Sequence, residues 1–196
     1  MKESVLLNVI GHPGAGKSEV CKRLKDQWGF EIYSPSGLIR DFANRKGLTP
    51  KGREDFSRCH ELMIDADPLA FMRPILGRGV LRLCADGLRS PLDAQRLKNF
   101  GGHIISLTAS RETRYDRVTR DSERTASRAP LSFEKFCDDE MADNHTDPRL
   151  TNTQAVIDIA DFNIDTDYLS MQEVISRIDA ITADLLEPKS HTPSPS

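Results

Sequence analysis

Eight residues near the amino terminus carry the clearest chemical pattern in the chain. Gly11-His12-Pro13-Gly14-Ala15-Gly16-Lys17-Ser18 satisfies Gly-x4-Gly-Lys-Ser/Thr at every position. A loop of this kind turns its backbone amides inward around a phosphate, and glycines reach the required dihedrals without a side-chain clash. The free amides and dipole of the helix that follows favour the same anion. In this pattern Lys17 reaches the β- and γ-phosphates of a nucleoside triphosphate, and the Ser18 hydroxyl coordinates magnesium. The cofactors implied are ATP and Mg2+. The cofactor-binding set is Gly11, His12, Pro13, Gly14, Ala15, Gly16, Lys17 and Ser18, with Val20 in the first turn of the helix. Gly11, Gly14 and Gly16 do not fit Gly-x-Gly-x-x-Gly, so a nicotinamide or flavin site is rejected.

A second group of residues has the chemistry to hold an acceptor. Asp86-Gly87-Leu88-Arg89-Ser90 follows an apolar run, and ligands of open parallel sheets sit at the carboxyl ends of strands. Asp86 can order a magnesium-bound water or orient the acceptor. Arg89 can clamp an acceptor phosphate through two parallel hydrogen bonds. Arg40, one turn into an earlier helix, is a further phosphate ligand. Between Arg114 and Arg128 five arginines occur, Arg114, Arg117, Arg120, Arg124 and Arg128. The first three can share one side of a helix, and the last two fall in a polar loop. An arginine delivered to a transferring phosphoryl group is worth ~10³–10⁵ in rate. Lys17, Asp86, Arg117, Arg124 and Arg128 form the catalytic set, and Ser18 and Asp86 the metal set. His12 reads as a variable loop position, Cys84 as a small buried residue, Asp138-Asp139-Glu140 as a solvated helix side and Trp28 as packing.

The elements that must position these groups alternate between strand and helix. Val5 to Ile10 is a short apolar run ending at a glycine, as a buried parallel strand would. From Lys17, Val20, Leu24 and Trp28 recur every fourth residue and Gly29 closes the helix. Phe30–Tyr33, Val80–Ala85, Ile104–Leu107 and Phe162–Ile164 are the further strands. Helices are expected from Ser36 to Gly47, after Thr49-Pro50 and Asp67-Pro68, from Ser90-Pro91, over 111–120, from about Ser132 and near Gln154. The last helix carries the capping box Ser170 with Glu173. Such alternation gives an α/β domain with a mostly parallel sheet and helices on both faces. One domain spans 1–186, and the polar, proline-rich tail 187–196 reads as disordered.

Composition narrows the class of partner. The 196 residues carry a formal net charge of −3, which disfavours nucleic acid and anionic membranes as partners. No apolar run approaches the ~20 residues of a membrane span, and the start has no signal-peptide core. Four widely spaced cysteines suit reduced thiols and a cytoplasmic address.

With these pieces in place, the chain resembles the nucleoside monophosphate kinase group of P-loop proteins, which includes adenylate kinase and dephospho-coenzyme A kinase. Gly11–Ser18 resembles their phosphate loop, and Asp86-Gly87-Leu88-Arg89-Ser90 their Asp-Gly-x-Arg element after strand three. Ser34 to Arg40 lies where the group has a turn ending in an acceptor-binding arginine, although Pro35-Ser36-Gly37 replaces the usual Thr-Gly-Asp. The resemblance implies a three-layer α/β/α P-loop fold with a five-stranded parallel sheet of order 2-3-1-4-5. It further implies acceptor-binding helices over 36–76, a short lid over 121–131 and a loop after the last strand that borders the adenine of ATP. The implied reaction is ATP-dependent phosphoryl transfer to a small nucleotide, foremost a nucleoside or deoxynucleoside monophosphate, by a monomer or homodimer. Dephospho-coenzyme A, a modified base or nucleotide, and a regulatory ATP-binding role without transfer remain alternatives. Replacing Lys17 with alanine abolishes activity under each reading, which a coupled assay of ADP release will show.

Overall fold

In a computed structural model of the chain, residues 4–50, 53–77, 81–120 and 132–187 are described. Among these residues there are five strands, β1 (Val5–Ile10), β2 (Glu31–Tyr33), β3 (Arg82–Asp86), β4 (His103–Thr108) and β5 (Phe162–Asp165). They form one parallel sheet in the order β2-β3-β1-β4-β5, as the resemblance implied. The helices among the described residues are α1 (Lys17–Trp28), α2 (Pro35–Arg45), α3 (Arg53–Ala66), α4 (Arg73–Gly77), α5 (Pro91–Asn99), α6 (Arg111–Arg120), α7 (Phe133–Met141), α8 (Thr153–Asp158) and α9 (Met171–Leu186).

Side chains alternate across a strand, and here the alternation sorts residues into two cores. Val5, Leu7 and Val9 of β1 join Cys84, Ile105, Leu107 and Ile164 beneath α1 and α9. Ile10, Leu83, Ala85 and Ile104 face the other way, against α2, α3, α4, α5 and α8. Burial on both faces is what gives β1 its near-continuous apolar sequence. Five helix starts have a side-chain cap. Ser34, Ser90, Ser132, Asn152 and Ser170 each accept a backbone N–H three residues on. Ser170 and Glu173 complete the reciprocal box. Gly29 ends α1 in the left-handed region at φ 68°.

Several boundaries differ from the sequence expectation. The second helix starts at Pro35 with Ser34 as its cap, not at Ser36, because proline fits the first helical position. After Asp67 the chain makes turns instead of a helix. The Asp67 carboxylate caps Leu69 and pairs with Arg73, and helix resumes only at Arg73. Trp28 does pack, but its indole N–H also donates to Asp179 at 2.7 Å, beside the forked Arg23–Asp179 pair. Among the described residues no helix is long and apolar enough to cross a membrane. Cys21, Cys59, Cys84 and Cys137 are free thiols. The expected lid and most of the tail lie outside the described residues, and Arg124 and Arg128 with them.

His60 of α3 is 6% exposed and packs edge-on against Phe71, and its Nε2 has no partner. Burial, then His145 nearby, lowers its pKa to about 4. Its folded pKa lies below the unfolded value of ~6.5, so the unfolded chain binds the extra proton between these values. Stability therefore falls as pH drops from about 6.5 towards 4, by at most ~1.4 kcal/mol per pH unit from this group. Urea denaturation across that window, compared with His60→Leu, will show a shallower pH slope in the variant.

Candidate active site

The phosphate loop joins β1 to α1 at the carboxyl edge of the sheet, where a parallel α/β fold binds its ligands. Gly16 stands at the helix cap with φ 96°. Gly14, at φ 83°, lies against α6 so closely that a Cβ would come within 2.5 Å of the Arg114 carbonyl oxygen and 2.9 Å of its Cα. A side chain at Gly11 would likewise meet the Leu107 carbonyl oxygen at 2.5 Å. Gly11 and Gly14 are thus required by close approach of neighbouring backbone, and Gly14 and Gly16 by conformation. Lys17 Nζ bends over the loop and donates to the carbonyls of Gly11 at 2.6 Å and His12 at 3.3 Å. Ser18 is exposed in the first turn of α1, while Ala15 and Val20 are buried beneath the loop.

The turn after β3 lies beside this loop. Asp86 is the register partner of Val9, two residues before Gly11, and is half-buried. Gly87 then turns the chain at φ 80° and donates its N–H to Val9 at 3.0 Å. Arg89 follows, half-buried, with its guanidinium 3.4 Å from the Asp143 carboxylate. Asp86, Arg89 and the loop are therefore brought to one edge. Arg40 is exposed on α2. Its contacts lie within the helical layer, to Ser36 at 3.4 Å and over the Phe56 ring.

The α6 arginines do not act as one solvated row. Arg120 is exposed and pairs with Asp116. Arg117 donates to the hydroxyl and carbonyl of Thr166 at 2.9 and 2.6 Å, and to the loop carbonyl of Gly14 at 3.5 Å. Arg114 is buried. It donates to Ala109 at 3.0 Å and to Pro13 of the loop at 3.4 Å, and forks onto Glu140 of α7. Glu140 corrects the expectation of a solvated acidic side. Asp138 is exposed, but Glu140 is 4% exposed and meets Arg114, Arg111 and His12. The missed signal lay in the spacing, since Glu140 follows the buried Phe136 by four residues and shares its helix face.

His12 is also more engaged than a variable loop position. Its Nδ1 lies 3.8 Å from Glu140. Burial first, then the Arg114 charge, lowers its pKa to about 4 against an opposing hydrogen bond with Gln154, so it is neutral at physiological pH. It lines a cavity of about 300 Å³. Leu107, Thr108 and Ile157 line it too, with Arg111, Glu140 and Gln154 as polar groups.

No group of three or more His, Cys, Asp or Glu side chains suited to a metal occurs among the described residues. The Ser18 hydroxyl and the Asp86 carboxylate, exposed and half-buried, are oxygen donors of the type that magnesium takes alongside nucleotide phosphates and water. Replacing Glu140 with glutamine leaves Arg114 buried without its anion, which typically costs ~3–5 kcal/mol. Urea denaturation at neutral pH will show a loss of that order.

Comparisons with known proteins bear on the fold and the family. The AAA domain model matches residues 8–138. A UPF0200 protein of Pyrobaculum aerophilum is 34% identical over 143 residues, 67% of this chain and 72% of that protein. Among solved structures, shikimate kinase from Acinetobacter baumannii, in complex with shikimate, superposes with a TM-score of 0.56 at 16% identity, covering 93% of this chain and 95% of that one. A gluconokinase from Sinorhizobium meliloti gives 0.56 at 14% identity, with 94% of each chain covered. At such identities the likeness speaks for the fold, which is that of P-loop kinases. The chain belongs to the AAA domain family and to the UPF0200 proteins.

Proposed function

We propose that the protein transfers the γ-phosphoryl group of ATP to a small acceptor, foremost a nucleoside or deoxynucleoside monophosphate. The observation that carries this reading is the turn Asp86–Arg89, bonded through Gly87 to Val9 of β1, two residues before the phosphate loop. A carboxylate and a forked guanidinium at this edge support the reading, since they suit a magnesium ion and an acceptor phosphate.

In this reading the loop amides and Lys17 hold the β- and γ-phosphates, and Ser18 and Asp86 would hold magnesium, which would neutralise charge on the phosphates. Asp86 also orients the acceptor oxygen. That oxygen forms a bond to the γ-phosphorus as the bond to the ADP oxygen breaks. Arg89 and Arg40 grip the acceptor phosphate. Arg117 borders the transferring group from α6, and its tie to Thr166 sets the loop after β5, which would border the adenine. Arg124 and Arg128 supply further positive charge as the developing negative charge spreads over the phosphoryl oxygens. A site that excludes water limits hydrolysis.

One observation favours a second acceptor class. Among the described residues the cavity at His12 is lined by charged, polar and aliphatic groups, with no Phe, Tyr or Trp, which suits a small hydroxyl compound better than a nucleobase. A panel of ribo- and deoxynucleoside monophosphates, dephospho-coenzyme A, shikimate and gluconate, assayed with ATP and magnesium, separates these readings. Monophosphates are expected to stimulate ADP release. Rapid ATP hydrolysis that no acceptor increases would point to an ATPase without transfer. With a monophosphate, Arg89→Ala should raise the acceptor KM by ~10- to 100-fold, the worth of a charge-assisted hydrogen bond of ~1.5–3 kcal/mol. A hydroxyl acceptor without phosphate should feel that change far less.

A further inference from the structure

Asn8 is out of character for its place. It sits in the middle of β1 with none of its surface exposed, on a central strand whose other residues are all apolar. Asparagine is depleted in strands, and a buried amide must find partners for both its donor and its acceptor. Here it finds them in a single residue 80 positions away. Nδ2 donates to the Leu88 carbonyl at 3.0 Å, and Oδ1 accepts from the Leu88 N–H at 2.9 Å.

Leu88 needs those bonds. β3 ends at Asp86 and Gly87 turns the chain, so the strand ladder stops just before it. Leu88 is nevertheless 1% exposed, and water is not at hand to satisfy its backbone. The Asn8 amide stands in for the missing neighbouring strand and pairs both groups. The residues flanking this clamp are Asp86 on one side and Arg89 on the other. Asn8 itself lies three residues before Gly11, on the strand that runs into the phosphate loop.

We infer that Asn8 is a positioning residue, one that locks the Asp86–Arg89 turn to the strand carrying the phosphate loop and so fixes the acid and the arginine relative to bound nucleotide. It touches neither substrate and acts only through Leu88. The functional part of this inference rests on the reading of Asp86 and Arg89 given above, whereas the clamp can be measured without it.

The test uses the whole protein and Asn8→Leu, which keeps the side-chain shape and removes both hydrogen bonds. Calorimetry of ATP in EDTA reports the loop alone, and the variant should bind as the natural chain does. The gain in affinity on adding magnesium should shrink at least ~10-fold, the loss typical when an outer support of a metal ligand is removed, and should match that of Asp86→Asn. Combining Asn8→Leu with Asp86→Asn should add nothing further. With the acceptor that the panel identifies, KM should rise as in Arg89→Ala. A folded Asn8→Leu protein with the natural magnesium gain and natural acceptor KM overturns the inference, as does full additivity with Asp86→Asn.

Amide hydrogen exchange on the natural chain decides the clamp even where the variant does not fold. The Leu88 N–H should exchange as slowly as the β1–β3 ladder amides, and exchange at the rate of an open loop overturns the inference. Should Asp86→Asn and Arg89→Ala themselves leave magnesium-dependent binding and turnover unchanged, the acceptor-turn reading fails, and Leu88 exchange still decides for or against the clamp.

Discussion

A loop that holds an anion with backbone amides must keep those amides turned inward, so its carbonyls point outward and need partners of their own. That constraint organises the surroundings of the phosphate loop in this protein. The carbonyls of Gly11 and His12 accept from Lys17, that of Pro13 from Arg114, and that of Gly14 from Arg117. Three cations on two helices thus meet loop carbonyls, and α6 lies close enough to Gly14 to leave no room for a side chain there.

Bringing Arg114 into the interior has a consequence for the rest of the fold. A buried guanidinium is tolerable only with an anion and further acceptors close by. Glu140 supplies the anion from α7, and Ala109 and Pro13 supply carbonyls. Helix α7 is thereby tied to the phosphate loop across the start of α6. His12 lies against the same carboxylate and stays neutral, because a charged imidazole would be buried beside Arg114. A single buried acid therefore joins the loop, α6 and α7. The sheet does the complementary work on the other side. β1 feeds the loop, β3 ends one register step away in Asp86, and the turn that follows is stapled back onto β1.

Much of this was legible in the chain itself. The glycine-lysine-serine pattern, the strand–helix alternation, the serine caps and the Asp86–Arg89 turn are local signals. Backbone sterics, capping and period-two burial operate over a few residues, so sequence expresses them directly. The strand order followed from the resemblance to P-loop kinases and was met. Errors occurred where a local signal had a competing local use. Asp67-Pro68 resembles a helix start, but its carboxylate is engaged by Leu69 and Arg73 in a turn.

What tertiary structure alone decided is which polar residues are buried, and with whom. Asp138, Asp139 and Glu140 look alike in sequence, yet only Glu140 falls on the face that meets Arg114. Arg114 and Arg120 share one helix, yet the former is interior and the latter solvated. Asn8 reads as an exception within an apolar strand until the chain returns 80 residues later and presents Leu88 to it. Charge pairing and desolvation depend on distances between residues far apart in sequence, and composition and spacing do not encode those distances. The chain fixes the anion-binding loop by itself, and packing fixes the partners that hold it.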